Sequence, residues 1–516
     1  MAKKPRIGII GAGIAGIYAA RTLYRNGLND VIIFEASDRI GGRIWSIKQD
    51  NDEWIEFGAQ WIHGQQDNIL YEYASTRNLI ADPKYDYGIE GNGYYCNENG
   101  ETIDDDECPL VKKLINYLDE SKNRMNNAIE CDQNVFDYFV EQFNQFIQSS
   151  NDIIIDERIL KILKNIFRWF IIYEVIDNSC ENLQTLSALS YTEWENCLGD
   201  TDLIHFQKNY SSIFDEFEKD FPLTDCVWLQ SQVKKIEFIH RNDLHDTQVK
   251  LYVYFDNNEI ENKEMIFDHV IITSSIGFLK ENLKNDFFSF DFPKEKRQII
   301  NAIGFGTINK IFLEFDQPFW NDQVKGFQIV WQNIQDDHSF PDIDNQSIVC
   351  QSETEKFPKW VYCIQGFDIV RNQPKMLMAW IGSYGARQME HYSDEEISKI
   401  LTKILQKIVP KHCLIRTIDK PRNIYCSRWF SNPFFRGSYS NRTIKYQKIN
   451  NNDDDGGGYN IDILVKPIYD NNNDEKKPLL LFAGEATDRK YYSTTHGAMK
   501  SGEREALRLI CFYNQK

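Results

Sequence analysis

A lysine, a histidine and a run of glycines are the residues of this sequence whose types and settings could do chemistry. Lys310 stands inside the apolar run from Ile308 to Phe315. An ammonium is expensive there unless paired, so its pKa is expected to fall. On spacing alone, a lysine snorkelling from a sheet edge is the plainer alternative. His63 is a lone histidine, and most of those are satisfied structural residues. The glycines say more. Gly11, Gly13 and Gly16 follow the apolar run from Ile7 to Ile10 and open a helix near Ile14. Gly11 permits a tight turn, Gly13 lets the backbone approach a pyrophosphate, and Gly16 lets the helix pack closely on the strand. First-turn N–H groups at Ile14, Ala15 and Gly16, with the positive end of the helix dipole, suit a diphosphate. Glu35 closes a second strand nineteen residues after Gly16, where an acid hydrogen-bonds an adenosine ribose. The pattern predicts dinucleotide binding; a glycine-rich turn without a ligand is the alternative.

Glu35 leads directly into Ala36-Ser37-Asp38-Arg39-Ile40-Gly41-Gly42-Arg43. Adjacent glycines between two arginines suggest backbone pressed against a cofactor, with the guanidinium groups of Arg39 and Arg43 near phosphate. This run resembles the second signature of the flavin-containing amine oxidase superfamily, and the resemblance implies FAD. It continues through Gly58-Ala59-Gln60-Trp61-Ile62-His63-Gly64, which is similar to animal polyamine oxidases of the spermine oxidase and N1-acetylpolyamine oxidase type. It implies that Gly58, Ala59, Gln60 and Trp61 lie beside the flavin and that His63 faces the substrate channel, for amine hydrogen bonding or for deprotonation. The run from Gly304 to Phe315, with Pro318-Phe319-Trp320, resembles the strand bearing the family lysine. That lysine holds a water near flavin N5 and helps the reduced flavin react with oxygen. The same likeness makes Asn309 an acceptor for a substrate N–H. Glu174 matches an acid that anchors the far ammonium of a polyamine; a capped or surface glutamate is the equal alternative.

The run from Arg428 to Ser440 resembles the family's penultimate signature, with Trp429 as a cofactor contact and Tyr439 as one wall of an aromatic sandwich before the flavin. In the last signature, Gly484 and Glu485 are expected near the ribityl and pyrophosphate, and Thr494 and Thr495 near the flavin. Monoamine oxidases place a second tyrosine at the position of Thr494, so this chain is expected to keep an open channel for a linear substrate. They also attach FAD to a cysteine where Ser438 stands, so FAD is expected to bind noncovalently. Val233, in the strand-like run from Val233 to Phe238, is expected to cover the adenine through its backbone. Asn441 departs from a tyrosine common after Gly-Ser-Tyr-Ser, which leaves that part of the channel open.

These residues need scaffolding from both ends of the chain. Short apolar runs at 6–11, 30–35, 268–274 and 478–483 read as buried parallel strands. Helical periodicity marks 108–172 and 394–409, and longer strands mark 307–316 and 376–382. The expected fold class is α/β: a discontinuous Rossmann-like FAD-binding domain (1–81, 225–290, 415–516) interleaved with an α+β substrate domain (82–224, 291–414), of the amine oxidase and glutathione-reductase-like type. The stretches 450–458 and 470–477 are rich in Asn and Asp and are expected to be mobile surface insertions. With 516 residues, 42% hydrophobic, the chain is an ordinary globular protein. Its net charge of −19 argues against nucleic-acid partners and is compatible with steering a cationic substrate. Eleven cysteines without a Cys-x-x-Cys pair fit a reduced compartment better than disulfides or a zinc site, so no metal is expected. No run of about 18 apolar residues exists, so no membrane span is expected. A cytoplasmic monomer is the default. The resemblance implies oxidation of a polyamine (spermine, N1-acetylspermine or spermidine) by hydride transfer to flavin N5, giving an aldehyde, a shorter amine and hydrogen peroxide, with O2 as acceptor. The alternatives are a histone-lysine demethylase-like oxidase, whose usual N-terminal helical domain and helical tower this chain is expected to lack, and a noncatalytic interaction protein on an oxidase scaffold.

Overall fold

The four short apolar runs expected as parallel strands are neighbours in one sheet. Ile7–Ile10 runs parallel to Val31–Phe34 on one side and to His269–Ile272 on the other, and Pro478–Phe482 pairs in parallel beyond His269–Ile272. Edge strands Val227–Trp228 and antiparallel Ile468–Tyr469 complete the six. Every residue of Ile7–Ile10 and His269–Ile272 is buried, as strands covered on both faces require. This computed structural model describes residues 4–49, 53–82, 93–103, 110–125, 133–150, 155–199, 203–241, 246–257, 259–332, 357–370, 372–449, 460–470 and 476–515. The chain divides into two units, one of Met1–Pro83, Glu193–Gly304 and Pro433–Lys516, the other of Lys84–Thr192 and Phe305–Asn432.

In the first unit, helix Ile14–Arg25 packs on the C-terminal helix Thr495–Asn514 backbone to backbone. A Cβ at Gly502 would stand 2.1 Å from the Ala15 carbonyl oxygen, so only glycine permits that approach. A second, antiparallel sheet of Ser231–Arg241, Asp246–Asn257 and Glu259–Phe267 also belongs here. The division differs from the sequence-based boundaries at residues 82–83 and at three longer segments. Residues 193–224 join the first unit because Phe214, Phe217 and Phe221 bury in the core of Ile9, Ile17 and Leu23, and Leu203–Ile204 pairs with Ile62–His63. Residues 291–304 join it because buried Lys296 donates to the carbonyls of Ile463 and Leu464 at 2.6 and 2.8 Å. Residues 415–432 leave it, because Asn423–Cys426 pairs with Ile308–Glu314 in the other unit. The stretch 450–458 lies outside the described residues. At 470–477 the expected exposure fails at both ends: Asp470 and Lys477 are buried, and Lys477 Nζ donates to Asp246 Oδ1 at 2.8 Å.

One buried group in this unit makes stability depend on pH. His269 is fully buried, with Nδ1 2.5 Å from the Pro478 carbonyl and Nε2 2.6 Å from the Tyr513 hydroxyl. Burial pushes its pKa down to about 4. In the unfolded chain a histidine titrates near ~6.5, so below that pH the unfolded state binds the extra proton and the native state does not. Stability is therefore expected to fall from neutrality toward pH ~4, by about 2 kcal/mol between pH 7 and pH 5 from this residue alone. His269→Gln should show a correspondingly flatter melting temperature over that interval; an unchanged slope would reject the assignment.

The second unit is built on a six-stranded sheet in the order Asn423–Cys426, Ile308–Glu314, Met376–Gly382, Ile364–Ile369, Gly326–Ile329, Tyr94–Cys96, antiparallel except for the last pair. One face carries helix Asp394–Ile408, started by a capping box of Ser393 and Glu396. The other carries helix Glu157–Asp177, capped by Asp156, whose Trp169 Nε1 donates to the Gln365 carbonyl at 3.2 Å. Helices Val111–Lys122 and Val135–Ser149 complete that layer. Among the described residues the eight cysteines are free thiols, no helix is long and apolar enough to cross a membrane, and no side-chain cluster could hold a metal ion.

Candidate active site

The glycine run and the Arg39–Arg43 run lie side by side and form one wall of a cleft of about 660 Å³ in the first unit. Gly11 takes φ +106° at the turn, where L side chains are strained. Gly41 N donates to the Ala12 carbonyl at 2.8 Å, and a Cβ on Gly42 would sit 3.3 Å from the Gly13 Cα. At Gly13 a Cβ would meet no protein atom within 4 Å, so this backbone borders open space in the cleft. Gly13 is also the N-cap of helix Ile14–Arg25 and offers no side chain to the first N–H groups. Those donors suit phosphate oxygens. Glu35 lines the same cleft: its Oε2 accepts from Ala12 N at 2.8 Å, and its Oε1 from Ser37 N and Oγ at 2.9 and 2.7 Å. Those bonds aim the carboxylate and leave lone-pair capacity for a ribose hydroxyl. Val233 lines the cleft too, where its strand's register shifts. The donor set and the bare Gly13 backbone fit a dinucleotide.

Arg43 lines this cleft and a second one of about 290 Å³, which Gly484 and Glu485 share. Its Nη1 donates to Glu485 Oε1 and to the Ser438 carbonyl, both at 2.8 Å. Glu485 Oε2 accepts from Ser440 Oγ at 2.6 Å and from Ser493 N at 2.9 Å. Ser493 is held at φ +68° and Gly484 at φ +118°, so this carboxylate organises a turn that few sequences adopt unaided. Gly58 is pressed on the same region, since a Cβ there would overlap the Arg43 carbonyl at 1.8 Å. Ala59 N donates to that carbonyl at 3.1 Å. Gln60 follows, half-buried, and Trp61 Nε1 pairs with His205 Nε2 at 3.2 Å.

Arg39 and Thr494 are each held by the protein's own backbone. Arg39 lines neither cleft. Its guanidinium donates to the carbonyls of Ile40, Gly42 and Ile44 and lies 4.3 Å from the Trp45 ring centroid, bracing the loop from behind; burial pulls its pKa down to about 10. Thr494 is the N-cap of helix Thr495–Asn514, its hydroxyl donating to the Tyr491 carbonyl at 2.7 Å and accepting from Gly497 N at 3.0 Å. With its proton committed, that hydroxyl serves the helix before any substrate. Thr495 shares a hydrogen bond with the Tyr210 hydroxyl.

His63 is half-buried in the short ladder opposite Leu203, with its backbone carbonyl bound by Asn68 Nδ2 at 2.8 Å. His496 lies near enough for the two to interact electrostatically. It is 2% exposed, its Nδ1 lacks a hydrogen-bond partner, and its pKa is pushed down to about 3 by burial first and His63 second, so it stays neutral. In sequence His496 stands within the Thr494–Gly497 run with nothing to mark a role for it. Tyr439 is half-buried between Ser438 and Ser440, both tied into the Glu485 network.

Lys310, Asn309, Glu174 and Trp429 belong to the second unit. Lys310 is 3% exposed, and its Nζ lies 4.6 Å from the centroid of the Trp380 ring. Asn309, next along the strand, points to the opposite face. It is fully buried, and its Nδ2 donates to Glu390 Oε1 at 2.8 Å and to the Ala386 carbonyl at 3.3 Å. Its Oδ1 accepts from Ser427 Oγ and Trp429 N, both at 3.2 Å. The amide ties strand, helix and the Trp429 loop together. Glu390 continues that tie by accepting from Phe430 N and Ser431 N at 2.9 and 2.6 Å. Glu174 is neither surface nor cap. It is fully buried, bound by Lys122 Nζ at 2.8 Å and Tyr191 Oη at 2.9 Å, so the protein already supplies its ammonium. Burial opposes the Lys122 charge, but Glu174, Asp177 and Asp119 outweigh it and hold that lysine protonated.

Comparison with known proteins completes the picture. The family model described as flavin containing amine oxidoreductase matches residues 14–510. The human peroxisomal N(1)-acetyl-spermine/spermidine oxidase is 27% identical over 99% of this chain and 95% of that protein. The probable polyamine oxidase 5 of Arabidopsis thaliana is 28% identical over 99% of both. Among solved structures, putrescine oxidase bound to putrescine superposes with a TM-score of 0.64 over 98% of this chain and 99% of that one, at 15% identity, which speaks for the fold. A match over nearly its whole length shows that the chain belongs to the flavin containing amine oxidoreductase family and is an FAD-dependent amine oxidase.

Proposed function

We propose that this chain oxidises a polyamine, spermine, N1-acetylspermine or spermidine, with noncovalently bound FAD and oxygen as the final acceptor. The observation that carries the reading is full-length likeness to oxidases named for acetylated spermine and spermidine and for polyamines. When bound, FAD supplies the acceptor for a hydride from the carbon next to nitrogen and returns the electrons to O2, releasing peroxide. The chain's own residues bind and orient. The bare Gly13 backbone and the first helical turn hold pyrophosphate, Glu35 the ribose, and Val233 the adenine edge. Arg43 and Glu485 fix the turn at Gly484. Ser438 lacks the thiol that a covalent link needs. The reacting nitrogen must arrive unprotonated, because an ammonium has no lone pair to assist C–H cleavage. His63, kept company by the neutral His496, can accept that proton or orient the amine, and Tyr439 offers an aromatic wall. Lys310 serves the oxygen step. A cytoplasmic setting and a monomeric chain belong to the same proposal.

Purified protein should be yellow, and anaerobic spermine, N1-acetylspermine or spermidine should bleach it. Peroxide release across those three, putrescine and a simple monoamine ranks the substrates. A flavin-loaded protein that no amine bleaches would leave only the noncatalytic scaffold, and bleaching by methylated lysine peptides alone would install the demethylase reading.

A further inference from the structure

Lys310 does not lie against an arbitrary apolar wall. Ile308–Glu314 and Met376–Gly382 are antiparallel, and in their register Lys310 stands directly opposite Trp380. Directly opposed residues project from the same face, with Cβ atoms about 5 Å apart. Above and below them on that face come the pairs Ile308 with Gly382 and Phe312 with Met378. Gly382 has no side chain, and Ile176 of helix Glu157–Asp177 fills its place: a Cβ there would meet Ile176 Cγ1 at 3.0 Å and Ile308 Cδ1 at 3.1 Å. The lysine stem is thus bracketed by apolar groups, and its Nζ lies 4.6 Å from the Trp380 ring centroid.

We propose that Trp380 is a positioning residue for the oxygen step, its indole face fixing where the Lys310 ammonium stands. The proposal rests on the role given to Lys310 above. Burial alone works against the charge. The indole quadrupole works for it, most strongly over tryptophan and at desolvated sites, and the effect is directional, so it holds the ammonium over the ring. Nothing in the sequence marks Trp380, in a strand some seventy residues downstream, as the register partner of Lys310.

The test measures two half-reactions of the FAD-loaded protein by stopped flow, in wild type, Trp380→Leu, Trp380→Phe, Lys310→Met and Trp380→Leu/Lys310→Met. Trp380→Leu should slow reoxidation by oxygen about tenfold, the loss of one desolvated cation–π contact, with anaerobic reduction by amine unchanged. Trp380→Phe, which keeps an aromatic face, should recover most of the rate. In the Lys310→Met background, Trp380→Leu should have no further effect. A readout without activity accompanies these: in the flavin-free protein, Lys310→Met should alter tryptophan fluorescence, and this change should vanish when Trp380 is leucine. If Lys310→Met leaves reoxidation intact, the role of the lysine falls. If Lys310→Met slows it but Trp380→Leu does not, or if Trp380→Leu slows both backgrounds equally, the role of Trp380 falls and that of Lys310 stands. Should Trp380→Leu fail to fold, Trp380→Phe decides: with the indole gone the fluorescence response to Lys310→Met should vanish in it, and a response that persists overturns the role of Trp380.

Discussion

Gly13→Val is expected to give a folded protein that has lost its yellow colour. Gly13 has φ −74° and ψ 173°, a conformation open to any residue, and a Cβ there would touch no protein atom within 4 Å. Neither backbone strain nor a clash at Cβ therefore opposes the substitution in the flavin-free protein. The added methyl groups stand in the cleft, between the first-turn N–H donors and the phosphate they are to meet. Losing about two charge-assisted hydrogen bonds weakens FAD binding by on the order of a thousandfold. Three residues along, Gly16→Ala should behave in the opposite way. Its Cβ would lie 2.1 Å from the Gly11 carbonyl oxygen, inside the strand–helix contact, so the damage falls on the fold. Flavin absorbance per protein, set beside melting temperature, separates the two. A yellow Gly13→Val protein with undiminished FAD affinity would remove the cleft as the nucleotide site.

The nucleotide-binding half was legible because its physics is local. Strand, glycine turn, helix start and acid fall within thirty-five residues, and each residue is set by backbone a few positions away. The apolar runs at 268–274 and 478–483 were legible as strands for the same reason, since a strand buried on both faces must be apolar throughout. The domain boundaries were less so. The segment 193–224 has little periodicity of its own and is assigned by where Phe214, Phe217 and Phe221 find a core.

Polar side chains were the least legible, and Arg39, Asn309, Thr494 and Glu174 share the cause. Each was chosen by type and motif, yet a buried polar group must satisfy itself with what lies nearest. Arg39 finds three carbonyls of its own loop, Thr494 an N–H three residues on, and Asn309 a glutamate 81 residues away. Glu174 finds Lys122, from a helix whose packing no one-dimensional pattern specifies. Motif position marked these residues as important; the partner decides whether each meets a ligand or holds the wall behind it.

Lys310→Met is the substitution in which stability and chemistry should part most widely. The lysine is 3% exposed and stands opposite Trp380 in the strand register. Methionine has nearly the same length, fills the slot, and keeps contact with the Trp380 ring through sulfur. The melting temperature should therefore hold or rise. FAD content and anaerobic reduction by amine should also hold, since the cleft proposed for the nucleotide is lined by residues of the other unit. The oxygen step should not hold. Without an ammonium to keep a water and supply a proton, reoxidation should slow by on the order of a hundredfold, the usual worth of a positioned acid. Wild-type reoxidation in Lys310→Met, at unchanged flavin content, would mean that the buried charge is kept for some other purpose.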